Sequence, residues 1–98
     1  MPPNHALTNV LKGRVIGSFE ENAGELAIGF QDGSTLTVKS LKVNNPVDPE
    51  GVQIRVVSEA GADLVIACED DSTIAVAQSE PGSSISVRDK NGRVEYLG

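Results

Sequence analysis

The side chains best suited to chemistry in this chain are a single cysteine, a single histidine and a short run of acids. Cys68 is the only thiol and His5 the only imidazole, so a nucleophilic cysteine would have that one histidine as its base. His5 lies in an N-terminal stretch, residues 1–8, that we predict to be a flexible tail. Cys68 instead ends an apolar strand pattern. We therefore predict a buried, inert thiol and no catalytic residue.

Three adjacent carboxylates, Glu69, Asp70 and Asp71, occupy one predicted turn in the sequence CEDDS. With help from Ser72 they could bind a hard cation such as Ca²⁺, although they lack the alternating spacing of an EF-hand. The sequence leaves cation binding at this turn open. One cysteine and one histidine cannot assemble a zinc site, so we predict no metal and no cofactor.

The remaining motifs also give no support to an enzyme. The chain has no Gly-x-Ser-x-Gly or Ser-x-x-Lys sequence, and the glycines of GSFEENAG open no helix that could bind phosphate. Glu20, Glu21 and Glu25 surround a predicted hairpin loop, where they would be solvated, and an exposed loop offers no cleft for paired-carboxylate catalysis. The sequence predicts a protein that is not an enzyme.

Composition restricts the partners. The 98 residues predict one domain and carry a net charge of −6, with 14 acids against 8 scattered bases and 3% aromatic residues. Such a chain is poorly suited to binding nucleic acid. It contains no apolar run long enough to span a membrane and no recognisable signal segment in MPPNHALTN. We expect a cytoplasmic protein.

An internal repeat organises the chain. The segment LAIGFQDGSTLTV, residues 26–38, resembles LVIACEDDSTIAV, residues 64–76, at an offset of 38 positions. The similarity extends without a gap over residues 13–39 and 51–77, which favours a duplication over two unrelated hairpins.

Alternation of apolar and polar residues predicts three strands in each repeat and a hairpin in residues 84–97. The strands are expected at about 14–20, 25–30 and 34–39, and at about 52–58, 63–68 and 72–77. Residues 44–51 and 78–84 are predicted loops. The fold class is therefore all-β: a small roll or two-sheet sandwich of about eight antiparallel strands, with a barrel as the alternative.

Parity of the side chains predicts the turn between the second and third strands. A two-residue loop at Asp32-Gly33 would put the apolar residues of the two strands on opposite faces. A three-residue loop, 31–33, unites them and requires Gly33 to be left-handed. Asp71, the equivalent residue in the second repeat, tolerates that conformation better than most residues. In the last hairpin we expect a turn at Asn91-Gly92 and one apolar face made by Ile85, Val87, Val94 and Tyr96.

The outward faces of the two repeats differ. In the first repeat this face is mostly polar, but in the second it carries Val65, Ala67, Ala75 and Ala77. Either the C-terminal hairpin or another protein chain would cover these residues. The sequence therefore favours a protein-interaction or assembly module that self-associates through them. The alternative is a carrier of a small apolar ligand, bound inside a barrel whose lining residues would be Leu26, Ile28, Phe30, Leu36, Leu64 and Ile66.

Overall fold

A computed structural model of the chain describes residues 1–45 and 48–98. The described part contains one helix, α1 (His5–Leu11), and eight strands. These are β1 (Ile16–Asn22), β2 (Glu25–Phe30), β3 (Thr35–Asn44), β4 (Ile54–Ala60), β5 (Asp63–Cys68), β6 (Thr73–Gln78), β7 (Ile85–Arg88) and β8 (Val94–Leu97). Every strand pairing is antiparallel, so the all-β prediction is confirmed.

The first meander, β1–β3, has the turn that parity predicts. Leu26 pairs with Val38 and Ile28 with Leu36, and the amide of Phe30 donates to the carbonyl of Ser34 at 2.9 Å. Residues 31–33 form the loop, and Gly33 closes it with a φ of 89°. The buried residues of both strands therefore lie on one side of the sheet.

The second meander, β4–β6, has matching registers. Leu64 pairs with Val76 and Ile66 with Ile74, and the Cys68 amide donates to Ser72. Asp71 has a φ of 68° and is the only non-glycine residue with a positive φ in the part of the chain that the structure describes. Gly33 and Asp71 thus both have the left-handed conformation expected at these turn positions.

β3 joins the two meanders into one sheet. Its first half lies between β2 and β7, whereas its second half pairs with β6. A bulge between Ser40 and Lys42 separates the halves and turns Leu41 into the solvent, where it is 77% exposed. The strand thus continues to Asn44, beyond the predicted end at about residue 39. Residues 46 and 47 of the predicted loop 44–51 lie outside the described residues.

The N-terminal segment departs from the prediction of a flexible tail over residues 1–8. Pro3 forms a β-bridge with Ser58, and α1 begins at His5 with Asn4 as its cap. Leu7 and Leu11, one turn apart, are fully buried in the core. Burial of these two leucines is the physical reason for the order, because a helix of 7 residues has little stability alone.

The hydrophobic core is a single cluster to which both meanders, α1 and β7 contribute. All six residues that the sequence offers as a ligand-cavity lining belong to this cluster: Leu26, Ile28, Phe30, Leu36, Leu64 and Ile66.

The C-terminal hairpin confirms the predicted apolar face for Ile85, Val87 and Tyr96 and contradicts it for Val94. Val87 pairs with Tyr96, which packs against the core, but a bulge between Val87 and Arg88 changes the register. Val94 therefore pairs with Arg88 and is 43% exposed, so its predicted place on the apolar face is wrong. The extra residue of the bulge is Glu95, which accepts hydrogen bonds from Arg14 at 3.0 and 2.8 Å.

Candidate functional site

The strongest candidate site is the outer strip, which we define as Val65, Ala67, Ala75 and Ala77. Register places these residues next to one another, because Val65 pairs with Ala75 across β5 and β6. All four are half-buried. The structure thus brings the four predicted interface residues together on one surface of the second meander.

Two charged residues flank the outer strip. Ala77 pairs with Lys42 on one side and with Asp63 on the other, so the row Lys42–Ala77–Asp63 crosses β3, β6 and β5. Neither charge takes part in an ion pair within the described residues. Sequence reasoning missed Lys42, since nothing local indicates that β3 extends to pair with β6.

Three residues of the outer strip, Val65, Ala75 and Ala77, line a depression of about 290 Å³. The depression is lined by Met1, Lys42, Asn44, Asp63, Leu64, Val65, Ala75, Val76 and Ala77. The C-terminal hairpin does not contribute to this lining, because β7 pairs beside β3 and extends the sheet there. Of the two covers that the sequence allowed, the hairpin is therefore excluded for this part of the surface.

Cys68 and His5 do not make a reactive pair. Cys68 is 1% exposed, and burial raises the pKa of its thiol. His5 is an exposed residue at the start of α1. A high thiol pKa leaves little thiolate at neutral pH, which agrees with the predicted inert cysteine.

Two of the three carboxylates of the acidic turn, those of Asp70 and Asp71, are bound by neighbouring side chains. Asp70 accepts hydrogen bonds from the hydroxyl and the amide of Ser72, and these bonds lower the pKa of its carboxyl. Asp71 forms an ion pair with Arg55 at 3.2 Å. Among residues 1–45 and 48–98, no group of three or more His, Cys, Asp or Glu side chains is arranged to bind a metal ion.

A polar cluster that the sequence did not reveal holds the N-terminal segment in place. The side-chain amide of Asn4 donates to Glu59 and to the Tyr96 hydroxyl, both at 3.0 Å. Gln78, which is 1% exposed, donates to the other Glu59 oxygen at 2.7 Å and accepts from the Ser84 hydroxyl. These residues are far apart in sequence, so only the tertiary pairing reveals the cluster.

A second polar cluster is centred on Arg14, which lies just before β1 in the sequence. Its guanidinium binds both oxygens of Glu95 and lies 3.8 Å from Asp32. The hydrogen bonds to Glu95 raise the pKa of Arg14, so this cation is permanent. The Asp32 pKa is lowered chiefly by the hydroxyl and amide of Ser34. Because the Arg14 guanidinium is already bound by Glu95 and lies beside Asp32, we interpret its role as structural.

Comparisons with known proteins add no relative from which a function could be transferred. No protein-family model, no curated protein and no solved structure matches this chain. In the part of the chain that the structure describes, no helix has the length and apolar character needed to cross a membrane.

Proposed function

We propose that this chain is a non-catalytic protein-interaction module that self-associates through the outer strip. The observation that supports the proposal is the row Lys42–Ala77–Asp63, in which opposite charges flank the small apolar residue Ala77. At the equivalent positions the first meander carries Thr37 and Lys39 in place of Ala75 and Ala77. Exposed apolar surface with a polar rim is typical of interfaces.

The arrangement of charges favours pairing of two copies about a two-fold axis. In such an interface the same patch contributes from both copies, and each contact occurs twice. A two-fold axis that passes through Ala77 parallel to β5 and β6 would bring Lys42 of one copy towards Asp63 of the other. Neither Lys42 nor Asp63 forms an ion pair within the described part of the monomer, so pairing between copies would not have to replace one there.

Charge reversal tests this arrangement. Lys42→Glu and Asp63→Lys should each weaken self-association, because each replaces two attractive contacts with two repulsive ones. We expect each variant to raise the dissociation constant about tenfold, or about 1.4 kcal/mol, since two rim ion pairs are lost and each contributes up to roughly 1 kcal/mol. The double variant should restore association. Sedimentation equilibrium measures all four proteins, and a double variant weaker than either single variant would contradict the proposed geometry.

Ala75→Arg tests the apolar part of the site. It should abolish self-association while the monomer stays folded, because Ala75 is half-buried and faces outward. Thr37→Arg, at the equivalent position of the first meander, is the matched control and should leave association unchanged. If Ala75→Arg unfolds the monomer while Thr37→Arg does not, the outer strip belongs to the folded core and the proposal fails.

Native mass spectrometry on gently purified protein separates this proposal from the apolar-ligand carrier. Self-association predicts a mass that is a whole multiple of the chain mass. A carrier predicts a monomer with additional mass, bound among the core residues of both meanders.

A further inference from the structure

The second surface of interest is the outer edge of β1, because its equivalent on β4 is already filled. Residues 2–8, the N-terminal arm, lie along β4. The amide of Asn4 donates to the Val57 carbonyl at 2.8 Å, and the amide of Glu59 donates to the Pro2 carbonyl at 3.1 Å. The Thr8 hydroxyl accepts from the Val57 amide and donates to its carbonyl. This edge of β4 is thus able to bind extended backbone.

β1 presents the same backbone groups in the same register. Phe19 pairs with Ile28 as Val57 pairs with Ile66, and Glu21 takes the place of Glu59. The backbone N–H and C=O of Phe19 and the N–H of Glu21 therefore point away from β2. Within residues 1–45 and 48–98, no backbone hydrogen bond is made to these outward groups.

The negative charge beside the β1 edge favours a basic partner over a second copy of this chain. Glu20, Glu21 and Glu25 are exposed, and none of them forms an ion pair within the described residues. Antiparallel pairing of β1 with β1 of a second copy would bring these carboxylates together, which is unfavourable. The half-buried ring of Phe19 offers an apolar contact on the inner side of the edge.

We propose that the β1 edge binds an extended segment of a partner protein in which Lys or Arg residues alternate with apolar residues. Backbone hydrogen bonds to Phe19 and Glu21 would add this segment to the sheet as a further strand. Glu20 and Glu21 point to opposite faces of β1. The basic side chains of the added strand would therefore lie near a carboxylate whichever face of the sheet they point to. This surface is separate from the outer strip, so its test does not depend on self-association.

Hydrogen exchange of the free, full-length protein is the first part of the test. The amides of Val57 and Glu59 should exchange slowly, because the N-terminal arm bonds them. The amides of Phe19 and Glu21 should exchange quickly. Slow exchange at Phe19 and Glu21 in the monomer would show that this edge is already covered and would overturn the proposal.

Peptide binding is the second part. The probe is a capped six-residue peptide of alternating lysine and valine, and its control has glutamate in place of lysine. Adding the lysine peptide should shift the amide resonances of Phe19 and Glu21 and slow their exchange, and the control peptide should have no effect. Absence of binding by the lysine peptide, or binding at β4 with loss of protection at Val57, would contradict the proposal.

Variants distinguish strand addition from general charge attraction. Glu21→Gln should weaken binding of the lysine peptide about threefold, the size expected for an exposed ion pair. Glu69→Gln removes the same charge from the β5–β6 turn and should leave binding unchanged. Glu21→Pro also removes the outward N–H and should weaken binding about tenfold or more. Equal weakening by Glu21→Gln and Glu69→Gln would show attraction to net charge alone and would refute an edge site.

Discussion

The arm contact on β4 yields a quantitative prediction through Asn4. Its side-chain oxygen accepts the Leu7 amide at 3.0 Å and caps α1, while its side-chain nitrogen donates to Glu59 and Tyr96. Removing an N-cap costs about 1 kcal/mol. Loss of the donor to Glu59 costs roughly 1 kcal/mol more, because that carboxylate keeps its bond from Gln78. Asn4→Ala should therefore lower the free energy of unfolding by about 2 kcal/mol.

Asn4→Ser separates the two contributions. Serine keeps the capping acceptor but cannot reach Glu59 and Tyr96 as the longer amide does, so it should cost about 1 kcal/mol. Urea unfolding followed by circular dichroism measures both variants, and a loss of 2 kcal/mol corresponds to roughly 10 °C in Tm for a chain of this size. A change below about 0.5 kcal/mol for Asn4→Ala would refute the argument that this residue holds the arm. Equal losses for the two variants would mean that the cap contributes nothing measurable, whereas no loss for Asn4→Ser would mean the same of the bonds to Glu59 and Tyr96.

Four further predictions concern the core, the turn, acid stability and the thiol. Leu7→Ala should destabilise the fold by about 3 kcal/mol in urea titration, because Leu7 is fully buried. Gly33→Ala should cost about 1–2 kcal/mol, since the residue has a φ of 89° and its new methyl would lie 2.8 Å from the Lys90 Cβ. The Asp89 pKa is lowered chiefly by the backbone N–H of Arg93. The ionised carboxylate therefore stabilises the fold above the unfolded pKa of about 3.9, and this stabilisation is lost as pH falls through the folded pKa. Asp89→Asn should therefore flatten the fall in stability during acid titration, and an unchanged slope would contradict this. Cys68 is buried, so its thiol should react with a disulfide reagent only when the protein transiently unfolds around it. Fast labelling without denaturant would disprove its burial.

The sequence predicts the parts of this fold that depend on short-range parity. Alternation locates β2 and β5 at the residues where the structure has them, and parity predicts the left-handed residues at Gly33 and Asp71. Both signals act between neighbouring strands joined by a short loop. They do not depend on the rest of the chain.

The features that sequence reasoning missed depend on tertiary contacts or on bulges. α1 shows a single helical turn of apolar spacing, and its order comes from burial of Leu7 and Leu11 against the sheet. A bulge in β8 moves Val94 off the apolar face of the hairpin. Another bulge lies between Ser40 and Lys42 in β3, which continues past Leu41 to pair with β6. Neither bulge has a local sequence signal. Comparison of the outward positions of the two repeats indicated the four residues of the outer strip, but the flanking Lys42 was identified only from the pairing of β3 with β6.

The two meanders share their inner registers and differ on their outer surfaces, which separates stability from interaction. Two equivalent buried pairs are apolar in both meanders, since both must fill one core: Leu26–Val38 and Ile28–Leu36 in the first, Leu64–Val76 and Ile66–Ile74 in the second. No such requirement acts on the outer strip or on the β1 edge. Because those surfaces lie on different meanders and share no residue, their variants should combine additively. Ala75→Arg should thus leave peptide binding at β1 intact, and Glu21→Gln should leave self-association intact.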